Sequence, residues 1–375
     1  MTAGLVLSLA MVFVANCGEK QESATGARSM IIVYTSQDAK IVRDGTEIPA
    51  KVGMVVKEND VIQTTNGKVD LQTRNGSAVR IREYTTVTVA NLYGEGNGDT
   101  TLRMEHGGIM ASVKRTDGQE NFSVVTPTAI AGVRGTTFTV ESEEGLPTRV
   151  KVLDGRVAMK PRVAALESAS EEEIQQDEEL SQLSDLAQQQ EVIIEPESEG
   201  TLDEAVEAKV QELNAKYEDA QADEAQRNEV EQTSVVELRE LMTTEEKPAV
   251  IVTRAEITTE EVTEQRTLER ATIDETLVSR VESGDQEAIE QMQREREQRQ
   301  GEILDQIAEE AESRGLNSEE QIREHYNKLE TIHLHSGEDV IGAVIAQTGD
   351  QLVVHTPQGV RRINTSDVEY QAPNL

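Results

Sequence analysis

Apolar and polar residues alternate with a period of two from residue 30 to about residue 163. Val79 with Ile81 and Phe138 with Val140 are clear examples of this pattern. Alternation of this kind turns one face of a strand toward a core and leaves the other face in water. The pattern predicts an all-β domain of roughly ten to twelve short strands over residues 30–163.

Tight turns are predicted between these strands. Asp or Asn followed by Gly supplies the positive φ angles that two-residue turns require. This stretch contains five such pairs, which are Asp44-Gly45, Asn66-Gly67, Asn75-Gly76, Asp117-Gly118 and Asp154-Gly155. Together the alternation and the turn pairs favour antiparallel strands over helices.

The spacing of apolar residues changes to three and four after residue 163. Residues 202–217 place Leu202, Val206, Val210, Leu213 and Tyr217 on one helical face, and residues 285–313 continue in the same way. Gly315 is positioned to end a helix, and Ser318 with Gln321 forms a capping box that opens another. The heptad pattern does not persist for three or four repeats, so a stable coiled coil is not predicted.

Other parts of this middle region carry weaker signals. The Glu-rich run at 170–180 and the Thr/Glu-rich residues 243–265 have the composition of marginal or disordered segments. Residues 249–254 fit a lone strand. We therefore expect residues 164–330 to be an acidic region that is helical or partly disordered, serving as a spacer or a partner-binding region.

Period two returns in residues 331–375. Gly-containing turns at residues 336–337, 348–350 and 358–359 separate about four short strands. The pattern predicts a small β-meander, which resembles SH3-like or Sm-like barrels. A unit of this size is marginal alone, so we expect it to pack on a helix within residues 318–330 or on a copy of itself.

The charge of the chain is unevenly distributed. Residues 28–163 hold 18 Lys and Arg against 16 Asp and Glu, whereas residues 164–375 hold 17 against 53. The acidic part repels phosphate backbones, which excludes nucleic acid as an expected partner. The shift in charge and the scarcity of aromatic residues indicate a multidomain chain with a boundary near residue 163.

The N-terminus has the pattern of a secretory signal. Residues 3–15 form an apolar run too short for an ordinary membrane-spanning helix, and Cys17, the only cysteine, follows it. The phrase Val14-Ala15-Asn16-Cys17 resembles the lipobox of bacterial lipoproteins, with Asn16 similar to the looser lipoboxes of spirochaetes. The expectation is a signal peptide at 1–16, lipidation at Cys17 and a polar tether at 17–29. A buried thiol in a protein without a signal is the alternative.

Several phrases of the β-rich half resemble the FecR domain. The most specific contains Thr126-Pro127 followed by Arg134-Gly135-Thr136 and Phe138, similar to the family's "v.TP.a...vrGT.f.v". Supporting phrases, in the family's order, are residues 38–63, Asn75-Gly76-Ser77, residues 106–109 and residues 154–157. The resemblance implies a solenoid-like or sandwich-like FecR-type domain at 30–163, in which these six motif residues have structural roles.

The resemblance also implies a place outside the cytoplasm. In the iron-dicitrate regulator, the domain is periplasmic and relays the state of an outer-membrane transporter to a sigma factor. That relay requires a cytoplasmic segment and a spanning helix ahead of the domain. Because few residues precede the apolar run, we expect the cytoplasmic segment to be missing here.

Two functional hypotheses follow. The first is a non-catalytic lipoprotein of the cell envelope, more readily of the outer membrane, that uses the FecR-type domain as a scaffold to bind a protein or glycan. The alternative is an extracytoplasmic sensor or regulator that signals through a separate membrane partner. No catalytic motif and no cofactor are predicted.

A metal site is the remaining chemical candidate. His333 and His335 share one face of a predicted strand, and His355 lies two strands later. Three imidazoles could hold zinc, but no spacing fixes them together. Polar residues on a hydrated face are the favoured interpretation, so no metal is predicted.

Overall fold

The computed structural model describes residues 30–36, 38–92, 99–115, 121–220, 224–242, 248–348 and 351–374. The predicted signal peptide (1–16), the lipidation site Cys17 and the tether (17–29) lie outside the described residues.

The first 254 residues contribute seventeen strands to the described part of the chain, joined in one hydrogen-bonded assembly. They are β1 (Met30–Thr35), β2 (Ala39–Arg43), β3 (Thr46–Pro49), β4 (Val55–Val56), β5 (Val61–Thr64), β6 (Val69–Thr73), β7 (Ala78–Ile81), β8 (Thr86–Asn91), β9 (Thr100–Ser112), β10 (Phe122–Val125), β11 (Ala129–Val133), β12 (Thr137–Ser142), β13 (Arg149–Asp154), β14 (Val157–Pro161), β15 (Val192–Ile194), β16 (Ser198–Leu202) and β17 (Val250–Arg254).

These strands form two sheets that share β9. The front sheet has the order β4-β1-β6-β7-β9-β12-β13-β16-β17. The back sheet has the order β3-β2-β5-β8-β9-β10-β11-β14-β15. The first half of β9 lies in the back sheet and its second half in the front sheet. The chain alternates between the two sheets, so the domain is a sandwich wound in the manner of a solenoid.

The main hydrophobic core lies between the two sheets. Leu71, Ile109 and Phe138 enter it from the front sheet, and Ile62 and Leu102 enter it from the back sheet. Each fully buried side chain of this size contributes roughly 1.5–3 kcal/mol relative to an exposed one. The inward register follows the alternation of the sequence.

The sandwich extends beyond residue 163, where the sequence places a boundary. β15 continues the back sheet beside β14, and β16 and β17 continue the front sheet beside β13. Residues 249–254 were expected to form a lone strand, yet β17 pairs with β16 along its whole length. The added strands are short and separated by helices, so they leave little periodic signal.

Nine helices are present in the described part of the chain. They are α1 (Ala164–Ser168), α2 (Glu171–Gln176), α3 (Glu178–Gln189), α4 (Glu204–Ala220), α5 (Glu224–Met242), α6 (Thr259–Arg270), α7 (Glu275–Glu282), α8 (Gln286–Ser313) and α9 (Glu319–Tyr326). Helices α1, α3, α4 and α5 share a second apolar cluster that includes Leu183, Val210 and Leu238.

Local capping explains why so acidic a region forms helices. Ser170 and Thr258 begin α2 and α6 with complete capping boxes, and Asp285 accepts backbone hydrogen bonds at the start of α8. Gly315, with φ of 64°, follows the end of α8, and Ser318 caps α9. The helix end at Gly315 and the Ser318 cap agree with the sequence prediction, but the capping box is incomplete, because the Gln321 side chain accepts from the Asn317 N–H instead of the Ser318 N–H.

Helices α6, α7 and α8 cover the outer face of the front sheet. Ile31 and Val33 of β1 pack against Leu277 of α7 and Met292 of α8. Met110 of β9 packs against α6 in a smaller cluster. The outer side chains of β6 and β7 are therefore buried, whereas the alternation predicted a hydrated face.

The C-terminal unit is a five-stranded antiparallel sheet with the order β21-β20-β19-β18-β22. Its strands are β18 (Glu330–Leu334), β19 (Asp339–Gln347), β20 (Gln351–Thr356), β21 (Gly359–Asn364) and β22 (Val368–Pro373). The predicted meander had about four strands; β22 is the additional one, and it follows a short 3-10 turn. The described residues form no closed barrel, because β21 and β22 share no ladder. The sheet packs on α8 and α9.

Candidate functional site

A cleft of about 1280 Å³ opens between the sandwich and two helices. One wall consists of Lys68, residues 82–84, residues 105–108 of β9, the turn at 127–128, and residues 141–147 at the end of β12 and in the loop after it. The other wall consists of residues from α4 and from the start of α6. A molecule in this cleft would therefore touch both the sandwich and the helical region.

The cleft is strongly acidic. Its cationic side chains, Lys68 and Arg82, face ten carboxylates, which are Glu83, Glu105, Glu141, Glu143, Glu144, Glu204, Glu207, Glu260, Glu261 and Glu264. The charge of Arg82 is already paired, because its guanidinium donates to Glu264 at 2.7 Å and to Glu141 at 2.9 Å. A cleft lined by charges of one sign concentrates the opposite charge, so this one attracts cationic groups.

Glu207 joins the two walls of the cleft. Its Oε1 accepts from the Thr128 hydroxyl at 2.5 Å and from the Thr148 backbone N–H at 3.2 Å. Its Oε2 is buried without a hydrogen-bond partner among the described residues. Burial raises the pKa of the Glu207 carboxyl, although the hydrogen bonds from Thr128 and Thr148 oppose that shift.

Apolar side chains also border the cleft. Tyr84 is 62 % exposed and Leu146 is 55 % exposed, which is unusual for side chains of this size. Pro127 and Pro147 lie nearby in the lining. The cleft therefore offers apolar contacts beside its carboxylates, as protein-binding surfaces often do.

The Thr126-Pro127 turn anchors α4 to the sandwich. The Thr126 hydroxyl lies 3.1 Å from the Thr148 hydroxyl, and both are buried. The Pro127 carbonyl accepts a hydrogen bond from Asn214 of α4 at 3.0 Å. Of the six motif residues with predicted structural roles, Pro127 is the one that lines the cleft.

The Arg134-Gly135-Thr136 turn lies apart from the cleft. Arg134 is exposed, and its Nε donates to the Asn121 side chain at 3.1 Å. Gly135 has φ of 67°, and a Cβ there would lie 2.6 Å from the Cβ of Arg115. The buried Thr136 hydroxyl donates to the Arg156 carbonyl at 2.8 Å. These contacts give the turn a structural role.

Asn59 explains a departure from the FecR phrase. It occupies the left-handed region with φ of 66°, at the place where the family often has Gly. Asn tolerates this conformation better than most residues. The neighbouring Asp60 is buried and accepts two hydrogen bonds from Arg43, at 2.7 and 2.6 Å. Both residues therefore stabilise the turn that follows β4.

The three candidate zinc ligands do not form a common site. His333 contacts Asp339 at 2.6 Å and stacks on Tyr370, while His335 is exposed. His355 is buried and its Nδ1 lies 2.8 Å from the Tyr326 hydroxyl. Within the described ranges, no group of three or more His, Cys, Asp or Glu residues could hold a metal ion.

The burial of His355 predicts a pH-dependent stability. Burial lowers the pKa of the imidazole from 6.5, and the charge of Arg314 lowers it further. At His355 the folded state therefore binds fewer protons than the unfolded state below about pH 6.5, so the contribution of this residue to stability should fall as the pH drops from 6.5. Denaturant unfolding between pH 7.5 and about 5 should show this slope. His355→Gln should reduce the slope, and an unchanged slope would contradict the assignment.

A second feature links the helical region to the sandwich through buried charge. Asp70 of β6 is fully buried and accepts from Arg80 of β7 at 2.7 and 2.9 Å, and from Arg296 of α8. Arg80 also donates to Thr267 of α6 at 3.1 Å. Burial alone would raise the pKa of the Asp70 carboxyl. The two guanidinium groups outweigh burial and hold this pKa below its usual value.

This ionic cluster was not predicted from the sequence. Asp70 and Arg80 lie on the face of the front sheet that was expected to be hydrated. Arg296 is 226 residues from Asp70, and no short motif joins them. A signal was present, however, because Arg296 follows Ala288 and Met292 at helical spacing on the apolar stripe of α8.

No helix in the described part of the chain is long and apolar enough to cross a membrane. The predicted lipidation site and signal peptide remain predictions.

Comparison with known proteins gives one family match. The model of the family described as FecR protein matches residues 60–158. Among curated protein sequences, no match to the chain is found.

Two crystal structures of a candidate anti-sigma factor from Parabacteroides distasonis are also similar. The 1.65 Å structure has 18 % identity and a TM-score of 0.24, covering 34 % of this chain and 47 % of that one. The 2.50 Å structure has 17 % identity and a TM-score of 0.26, covering 36 % and 51 %. The chain thus spans about half the length of the structures it matches. The family match carries the assignment: residues 60–158 form a FecR domain.

Proposed function

We propose that the chain is a non-catalytic sensor or regulator that acts outside the cytoplasm through a separate membrane partner. The FecR match over residues 60–158 is the observation that carries this proposal. The family resemblance implies a domain that relays the state of an outer-membrane transporter to a sigma factor. A lipid on Cys17 would hold the protein at the membrane, because each buried methylene contributes about 0.8 kcal/mol.

The cleft is the proposed receptor surface for the partner. Its excess of carboxylates favours a basic protein segment, and the exposed Tyr84 and Leu146 favour an apolar side chain within that segment. Charge complementarity of this kind accelerates association and selects among partners. Because the walls come from the FecR domain and from α4 and α6, an occupant would contact both parts at once.

The test is the transcript profile of the source organism. Deleting the chain should change a defined set of transcripts, and restoring the wild type should reverse that change. A variant with Glu105→Lys, Glu143→Lys and Glu144→Lys should not reverse it, because three exposed carboxylates of the cleft become cationic.

The control places the same charge change elsewhere. Glu297, Glu302 and Glu309 are exposed on α8 and lie outside the cleft lining. Changing all three to Lys should leave the transcript profile restored. If deletion alters no transcripts, the regulatory proposal is wrong, and the hypothesis of an envelope scaffold that binds a protein or glycan is favoured.

A further inference from the structure

β17 is the last strand of the front sheet, and no other described strand lies along its outer edge. Among the described strands it pairs only with β16. Asp203 N–H donates to the Ala249 carbonyl and Ala255 N–H donates to the Glu197 carbonyl, both at 2.9 Å. These two bonds show which residues of β17 direct their backbone groups toward β16. Backbone groups alternate in direction along an antiparallel strand. The N–H and C=O groups of Val250, Val252 and Arg254 therefore point away from β16.

Aliphatic side chains are exposed on both faces of this edge. Val252 shares the inner face with Val250 of the main core, yet it is 42 % exposed. Ile251, on the outer face, is 40 % exposed. One more strand beside β17 would cover both side chains while it satisfied the outward backbone groups.

The other sheet edges of the described chain are short or protected. β4 has two residues and β15 has three. β3 and β22 each contain a Glu and end in Pro, and β21 carries adjacent Arg residues. Charged residues, Pro and short length are the devices by which proteins protect edges from pairing. In β17 the one charged residue is Arg254, at its end.

We propose that β17 binds a second copy of this chain, strand to strand and antiparallel, about a two-fold axis at Val252. In this register Val252 faces its own copy, and Val250 of each chain faces Arg254 of the other. All outward backbone groups of one strand then meet outward groups of its partner. The two front sheets become one continuous sheet.

The strand itself is suited to pairing with its own copy. It carries no carboxylate, and the two Arg254 side chains would be about 13 Å apart along the strands, so like charges are not opposed. A single strand pair buries far less than the roughly 1,600 Å² of a standard interface. We therefore expect a reversible dimer whose population rises with protein concentration.

Disulfide trapping tests the register in the full chain carrying Cys17→Ser, so that an introduced cysteine is the only thiol. Val252→Cys should form a dimer under mild oxidation, because facing residues in such a pair have Cα atoms about 5.5 Å apart, within disulfide range. Arg254→Cys is the matched control on the same face. It should react at least about tenfold more slowly, because its copies lie beyond that range.

Sedimentation over a wide concentration range tests the interface without a new thiol. The wild-type average mass should rise with concentration, and Val252→Lys should remain monomeric with an unchanged thermal melt. Ile193→Lys, at a side chain 50 % exposed on β15, should associate like the wild type. The proposal is overturned if Val252→Cys reacts no faster than Arg254→Cys, or if the wild type stays monomeric throughout. Either result would leave β17 free for a strand of another protein.

Discussion

Replacement of Asp70 by Ala is expected to destabilise the protein by about 3–5 kcal/mol, because two guanidinium groups then remain buried without their carboxylate. Arg80 and Arg296 both bind Asp70, and all three side chains are buried. Nε of Arg296 already lacks a hydrogen-bond partner among the described residues. Urea unfolding of the full chain would measure the loss.

Matched variants separate the charge from the packing. Glu47→Ala removes an exposed ion pair with Lys40, so its effect should stay below about 1 kcal/mol. Arg296→Met should be milder than Asp70→Ala, because the Asp70–Arg80 pair remains intact. Replacing Asp70, Arg80 and Arg296 together by Leu, Met and Met should recover most of the stability. If the triple variant lost as much stability as Asp70→Ala, the destabilisation would be assigned to packing and not to buried charge.

Hydrogen exchange of the Asp70→Ala variant would show which helices and strands lose stability. The cluster lies between the front sheet and α6 and α8, so those helices should exchange faster than the core strands. Such local release would identify the ionic cluster as a main contact that holds α6 and α8 on the sandwich. Uniform acceleration across the chain would show that the two parts unfold together.

The strands were predictable from the sequence because their pattern is local. Phe138 and Val140 alternate with polar neighbours, and both are fully buried. Asp44-Gly45 adopts the two positive φ angles that the turn prediction requires, whereas at Asn75-Gly76 only the glycine does and at Asn66-Gly67 neither residue does. Each of these features depends on residues that are close in sequence, so a single chain is enough to reveal them.

The outer face of the front sheet was not predictable in this way. Thr137 and Thr139 occupy the polar positions of β12, yet both are buried. The Thr137 hydroxyl donates to Glu269 of α6 at 2.9 Å, across 132 residues of sequence. Alternation describes only the face of a strand that meets the core. Coverage of the other face depends on a distant helix, which no local pattern identifies.

The cleft was missed for a related reason. Its carboxylates come from separate segments, including residues 141–144, α4 and the start of α6. In the sequence these glutamates resemble ordinary solvated charge, and only the fold brings them to one surface. The motif residues that the sequence did single out lie mainly in the core and in turns, where they stabilise the walls of the cleft.

Replacement of Phe138 by Ala is expected to cost about 3–5 kcal/mol, a large share of the stability of a domain of this kind. The ring is fully buried between the sheets and meets Phe122 edge to face at 6.4 Å. Its neighbours across the strands are Val152 and Ala111, so truncation leaves a cavity that small side chains cannot fill. Thermal melts of the full chain would measure the loss.

Two control variants show whether the loss of stability comes from the cavity left by Phe138. Phe138→Leu keeps most of the volume and should cost less than about 1.5 kcal/mol. Arg134→Ala, four residues earlier, removes an exposed side chain and should change stability by no more than about 0.5 kcal/mol. If Arg134→Ala unfolds the domain, its guanidinium has a structural role that its exposure does not reveal. If Phe138→Ala melts like the wild type, the inward register of β12 is incorrect, and with it the packing of the FecR core.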